Sequence, residues 1–434
     1  LGGEAALNRE ALLMKARPST DTGSAWRRRD WLAAALGLPL VWTGCTPAPH
    51  VQSLPVVAPA TGTTEFRGAW VATVSNIDWP SRPGLSDAEQ QAEIDRIVDL
   101  AAGLGLTALL LQVRPACDAI YPSALEPWTE FLSGTQGVGP GYDPLQRWLD
   151  RTRAAGLQLH AWINPYRARH ASQRSPLAAS HIARTHPELV RPVGDQLWLD
   201  PGEPEAARYT LAIARDLLSR YALHGLHIDD YFYPYPVQDA RGQALDFPDD
   251  APWQRYLQSG GTLARADWRR AQVNALVQAL HALVHELRPE ACFSVSPFGI
   301  GRPDRRPAGI SGFSQYDRLY ADPETWCREG WLDALCPQLY WPLDAPGQAF
   351  GTLADYWKTQ LIPGQKLWPG LYANGVGTGP SGWPAQQILD QIALLRVHGI
   401  EGHVHFSMQA LLQDRGGLAQ ALREGPYRQR GPAP

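Results

Sequence analysis

The sequence predicts an α/β protein, a single (β/α)8 TIM barrel with long βα loops, on three observations. Eight short apolar, β-rich runs follow one another along the chain. Segments with the helical spacing of apolar residues lie between them. Polar and aromatic residues collect where nearly every run ends, which is where a parallel barrel keeps its chemistry.

The eight runs are Arg67–Val74, Thr107–Val113, Leu157–Asn164, Gly225–Tyr231, Cys292–Pro297, Ala334–Tyr340, Lys366–Tyr372 and His403–Ser407. Helical periodicity is clearest at Ala88–Leu104, Pro144–Ala155, Glu205–Tyr221, Trp268–Leu287 and Ala385–His398. Gly103 and Gly105, Gly156, Gly225 and Gly399 stand just ahead of strands and read as helix stops. The rival fold, an open doubly wound sheet, needs a glycine-rich phosphate loop after the first strand, and none stands there.

Composition narrows the function. The chain has 434 residues, 44% hydrophobic and 19% charged, which describes a globular core rather than a disordered chain. A net charge of −4 gives no electrostatic reason to expect a nucleic-acid partner. Seventeen tryptophans stand against two methionines; packing accounts for more than half of them, and the rest fit rings presented to a sugar ligand.

The first sixty residues read as an address. Met14 is the expected translation start, with residues 1–13 an upstream reading-frame artefact. Residues 14–45 carry Arg27-Arg28-Arg29, an apolar run from Trp31 to Trp42, and Thr43-Gly44-Cys45. That is the order of a secretory signal, with a twin-arginine character and Cys45 as the expected lipidation site. The apolar run is too short to cross a bilayer. Residues 46–64 read as a flexible tether, 65–425 as the barrel and 426–434 as a tail. The expected location is the cell envelope, lipid-anchored and facing the periplasm, most plausibly on the outer membrane. Cys117, Cys292, Cys327 and Cys336 would remain, with no spacing that demands a disulfide.

The strand ends are loaded with chemistry. Strand two runs into Arg114 and then Asp118; strand three carries His160, Trp162, Asn164, Tyr166 and Arg167. Strand four reads His227-Ile228-Asp229-Asp230-Tyr231, so His227, Asp229 and Tyr231 share one face. Strand six brings Gln338, Tyr340 and Trp341, and strand eight His403 and His405. Such a ring of polar groups suits a ligand with many hydroxyls. Adjacent aspartates at the end of a buried strand are costly, so at least one is functional and the other is either its partner or also catalytic. The loop Phe232–Ala266 is long enough to be a lid or binding loop. The histidines are expected to hydrogen-bond within the pocket; no metal or cofactor is expected. No Gly-x-Ser-x-Gly elbow is present, which argues against a serine hydrolase.

Seven ordered blocks carry a resemblance. Phe66-Arg67-Gly68-Ala69-Trp70-Val71, Gln112-Val113-Arg114-Pro115, Ala161-Trp162-Ile163-Asn164-Pro165-Tyr166-Arg167 and His227-Ile228-Asp229-Asp230-Tyr231-Phe232-Tyr233-Pro234 are four of them. Ser296-Pro297-Phe298-Gly299, Tyr316-Asp317, and Pro337-Gln338 with Tyr340-Trp341 complete the set. Together they resemble the glycosyl-hydrolase-like family 10 lipoproteins, which include hydrolases of denuded, peptide-free peptidoglycan. The resemblance implies a TIM barrel, a membrane-anchored envelope protein and a polysaccharide substrate, with peptidoglycan glycan strands leading. Strand four carries aspartates and strand seven no carboxylate, unlike a family 10 xylanase.

Glycoside hydrolysis generally uses two carboxyl groups, one protonated and one ionised. Asp229 is the expected ionised member, held by Arg114 or His227, with Asp230 the nearest alternative. The acid is sought among Asp118, Asp317 and Asp322, each of which could equally cap a helix or form a turn. Arg114, His160, Trp162, Asn164, Tyr166, His227, Tyr231, Gln338, Tyr340 and Trp341 are the expected sugar-binding residues. A catalytically inactive glycan-binding barrel, and a hydrolase of an α-glucan or another exopolysaccharide, stay open as alternatives.

Overall fold

The computed structural model describes residues 65–239, 241–377 and 382–428. Residues 14–64, with Arg28-Arg29, Cys45 and the tether, lie outside them, as does most of the tail. No helix among the described residues is long and apolar enough to cross a membrane.

Eight parallel strands close into a barrel. They are β1 (Phe66–Val71), β2 (Ala108–Arg114), β3 (Gln158–Ile163), β4 (Gly225–Ile228), β5 (Cys292–Val295), β6 (Ala334–Leu335), β7 and β8 (Gly402–His405). β7 is two short pieces: Lys366–Leu367 pairs with β6, and Gly370–Leu371 pairs with β8. β8 in turn pairs with β1. The ring therefore closes on itself, and Gln338 tightens the seam by bridging both Phe298 and Gly370.

Side-chain alternation divides the apolar residues into two cores. Trp70, Leu110, Trp162, Cys336, Trp368 and Val404 fill the barrel. Ala69, Val71, Leu109, Leu111, Leu159 and Leu226 face the outer helices. The helix Asp87–Leu104 shows how sequence sets its ends. Ser86 and Glu89 form a reciprocal capping box, and Gly105 ends the helix at φ +80°. Gly225 has a different role from the expected helix stop. It lies inside β4, and a Cβ there would come 2.3 Å from His160 Nδ1 and 2.5 Å from the Cys292 carbonyl. The helix before it, Pro204–Arg220, ends on Tyr221 instead.

Two features change the expected mouth. A three-stranded antiparallel sheet (Arg167–Arg169, Val190–Val193, Gln196–Leu199) is inserted after β3. It is fastened to the β4 exit by Trp198 Nε1, which donates to the Phe232 carbonyl at 2.9 Å. The long loop after β4 contains a helix, Asp250–Gln258, and is locked by Asp249, which binds Arg265 and Arg269. The four described cysteines are free.

Candidate active site

The site is built around the exit of β4. His227, the last inward side chain of that strand, is fully buried. Trp70 Nε1 donates to its Nε2 at 3.0 Å, so the proton sits on Nδ1, which faces Ser294 Oγ at 2.8 Å. Burial holds this imidazole's pKa well below its ordinary value, so it is a neutral strut under the next inward residue, Asp229.

Asp229 is 4% exposed, and donors reach both of its oxygens. Trp162 Nε1 donates to Oδ2 at 3.0 Å, and Asn164 Nδ2 reaches Oδ1 at 3.2 Å and Oδ2 at 3.1 Å. The exit of β3 positions both donors, and Asn164 is itself held because its Oδ1 accepts the backbone N–H groups of Tyr166 and Arg167. Burial pushes the Asp229 pKa up to about 7; Arg167 and the two donors pull it down, and neighbouring Asp230 adds to the rise. Asp230, 3% exposed, is likewise raised by burial. It accepts from the Tyr235 hydroxyl and from Gln338. Burial raises both of these adjacent carboxyls, and their mutual repulsion disfavours ionising both together.

An aromatic wall stands beside the pair. Tyr231 touches Tyr235, Tyr235 stacks on Phe313, and Phe298 bridges Phe313 to Trp341, with centroid spacings of 5.1–5.6 Å. Across the seam, Tyr340 stacks on Phe406 at 5.5 Å; burial raises its pKa, and the nearby Asp230 charge adds to the rise. The Arg167 guanidinium lies 4.1 Å from the centre of the Tyr231 ring.

The structure thus brings Asp229, Asp230, Trp162, Asn164, Tyr231, Gln338 and Tyr340 together, with His227 beneath and Trp341 at the far end of the wall. It places the others elsewhere. Arg114 does not hold Asp229. Register shifts between Gln112 and Arg114, and the guanidinium turns to Glu126 at 2.7 Å and to the Asn164 carbonyl at 2.5 Å. His160 lies two residues deeper than Trp162, packed against Phe66 and Trp368, and burial lowers its pKa to about 3. Tyr166 is fully buried in the outer core. Asp118 is also fully buried, stapling two loops through Gln136 and Gln173. Asp317 is exposed and shares a helix cap with Ser314; Asp322 caps the next helix. His403 and His405 point out of the barrel, onto the Tyr427 hydroxyl.

Comparison with known proteins places the chain in a family and supports the fold. The model of the family described as Glycosyl hydrolase-like 10 matches residues 65–381. The chain belongs to that family. A glycosyl hydrolase of Bacillus subtilis (strain 168), YngK, is 36% identical over 386 residues, covering 87% of this chain and 74% of the relative. Glycosyl hydrolase DigH of Escherichia coli (strain K12) is 32% identical over 376 residues, covering 81% and 84%. Among solved structures, the glycoside hydrolase domain of PgaB (BpsB) from Bordetella bronchiseptica superposes with a TM-score of 0.55 at 13% identity, covering 84% of this chain and all of that one. The catalytic domain of a Paenibacillus polymyxa beta-amylase gives 0.54 at 11% identity, over 85% and 100%. These two show the barrel fold. The family makes this chain a glycosyl hydrolase with a carbohydrate substrate.

Within this glycosyl hydrolase, three residues of the mouth were not among the expected site residues. Tyr235 binds Asp230 from the long loop. Arg167 is 2% exposed, its Nε has no hydrogen-bond partner among the described residues, and its charge reaches both aspartates. Asp78, after β1, accepts from Ala72 N, Ser407 Oγ and Gln409 N and so ties the exits of β1 and β8. Arg167 and Asp78 stood at strand exits, the one signal that would have found them; Tyr235 lies in a loop whose path the sequence does not reveal.

Proposed function

We propose that this enzyme cleaves glycan strands built of N-acetylated sugars, with peptidoglycan stripped of its stem peptides as the best-fitting substrate. The observation that carries the reading is the pairing of Asp229 and Asp230 on consecutive residues. Adjacent carboxyls stand on one side of a scissile bond rather than flanking it, an arrangement suited to hydrolysis assisted by the substrate itself. Asp229, surrounded by donors, is the ionised member and accepts the N–H of the sugar's 2-acetamido group. The acetamido oxygen attacks C1 as the glycosidic bond breaks. Asp230, whose Tyr235 partner can accept as well as donate, gives its proton to the departing oxygen. Water then opens the cyclic intermediate at C1, returning its proton to Asp230.

Arg167 supports the finer choice of substrate. Its buried Nε has no hydrogen-bond partner among the described residues, which is costly, and a muramic lactyl carboxylate, free once the peptide is gone, is a group that would complete it. The twin-arginine and Cys45 signals support a lipid-anchored envelope location, where such a substrate is found. Two experiments test the reading. A thiazoline mimic of the cyclic intermediate should inhibit competitively, and equal turnover of a glycan lacking N-acetyl groups would overturn the assisted mechanism. Cys45→Ala should move the protein from membrane to soluble fractions; unchanged, detergent-dependent fractionation would overturn the anchor.

A further inference from the structure

We propose that His281, His285 and Asp333 form a binding site for a transition-metal dication of the zinc type, at the end of the barrel opposite the aspartate pair. His281 and His285 stand one turn apart on the helix Arg265–Leu287, so they share a face. Asp333 immediately precedes β6 and lies under that face. His281 Nε2 is 3.5 Å from Asp333 Oδ1, and His285 Nε2 is 3.0 Å from Oδ2. One ligand atom from each of the three residues falls within 4.8 Å of the others. Ligands on a tetrahedral zinc ion with bonds of about 2.0–2.1 Å stand roughly 3.3 Å apart, so small side-chain shifts would seat an ion.

The ring orientation fits as well. His285 Nδ1 faces the Pro289 carbonyl at 3.3 Å, while its Nε2 faces the Asp333 carboxylate. A carbonyl only accepts hydrogen bonds, so it favours the tautomer with the N–H on Nδ1. With Nδ1–H on Pro289, the lone pair on Nε2 points at the carboxylate, which is the orientation of a metal-binding histidine with its outer nitrogen fixed. Asp333 is fixed as well, since its Oδ2 accepts the Phe293 N–H at 2.7 Å. Side-chain exposures of 25–34% leave room for water to complete the coordination. Two imidazoles and one carboxylate favour zinc, nickel or copper over calcium or magnesium, which prefer all-oxygen sites. Because the site joins a helix to the entry ends of β5 and β6, the ion acts as a structural clamp and takes no part in hydrolysis.

The test is titration of Zn²⁺ into the chelator-treated, untagged full chain, followed by calorimetry and melting. One equivalent should bind with a dissociation constant of roughly micromolar or tighter, raising Tm by a few degrees. His281→Ala and His285→Ala should each weaken binding at least about tenfold, leave glycan turnover unchanged and match the metal-free parent's Tm in EDTA. The absence of saturable uptake by the folded parent, or parental affinity in both variants, overturns the proposal. Should an alanine variant unfold, Co²⁺ decides on the parent alone. Intense tetrahedral absorption bands support the site, and a spectrum identical to free Co²⁺ overturns it.

Discussion

Replacing Asp229 with asparagine separates the chemistry of this group from its cost in stability, because the two respond to pH differently. The amide can keep its oxygen where Oδ2 stands and so retain the contacts from Trp162 and Asn164 at 3.0 and 3.1 Å. Its nitrogen then meets Asn164 Nδ2, which lies 3.2 Å from Oδ1, a donor–donor contact costing about 1 kcal/mol. Against this stands the buried charge. The carboxyl ionises at about 7 when folded, against 3.8 ordinarily. Between about pH 4 and 7 the folded state keeps a proton that the unfolded chain has lost, so this group's contribution to stability falls as pH rises through that window. Three pKa units correspond to about 4 kcal/mol. Asp229→Asn is therefore expected to be about 1 kcal/mol less stable than the parent near pH 3, about equal to it near pH 4.5 and about 3 kcal/mol more stable at pH 8. In melting curves that is a drop of roughly 2 °C turning into a gain of roughly 6 °C. Turnover should fall at least about a hundredfold at every pH, the scale of losing one electrostatic contributor. A difference in Tm that does not change with pH would refute the raised pKa, and near-parental turnover would refute the catalytic role.

Other expectations follow from neighbouring contacts. Arg167→Gln removes the charge that holds the Asp229 pKa down, so the acid limb of the pH–rate profile should move to higher pH; an unmoved limb contradicts the coupling. Tyr235→Phe deletes the hydroxyl on Asp230 and should cut turnover about tenfold with little change in Tm, as one hydrogen bond to a charged group is worth about 1.5–3 kcal/mol. Glu126→Gln leaves Arg114 buried without its counter-charge, which should cost about 3–5 kcal/mol in denaturant titration while activity of the folded fraction survives. Gly225→Ala pushes a Cβ against His160 and the Cys292 carbonyl; strain of about 1–3 kcal/mol or more should appear as a lower Tm.

The barrel was readable because its eight strands fall on the eight apolar runs and its long helices keep helical spacing, with ends such as Ser86 and Gly105 written into the chain. What the sequence hid was mostly parity and insertion. Alternation along β8 separates His403 and His405 from Val404 but does not say which set faces inward. That is decided by Gly402, where a Cβ would strike Trp368 at 2.3 Å. Arg114 was misplaced by a single register shift. The sheet inserted after β3 is made of strands of three or four residues, one holding Pro192, and carries no periodic signal. Of the site, the aspartate pair, Trp162 and Asn164 were visible because they end strands in family-like blocks. Asp118 and Asp317 looked equivalent to them in sequence, and only burial and partners show that one staples loops and the other caps a helix.

The measurement that bears most directly on the central claim is mass spectrometry of the soluble products released from purified sacculi, with and without stem peptides, by the parent and by Asp229→Asn. The expected result is release of N-acetylated oligosaccharides with new reducing ends from peptide-free sacculi by the parent, and essentially none by the variant. Equal release by both would place the chemistry elsewhere on the barrel. No release by the parent from either preparation, alongside turnover of a neutral α-glucan, would contradict the proposed substrate.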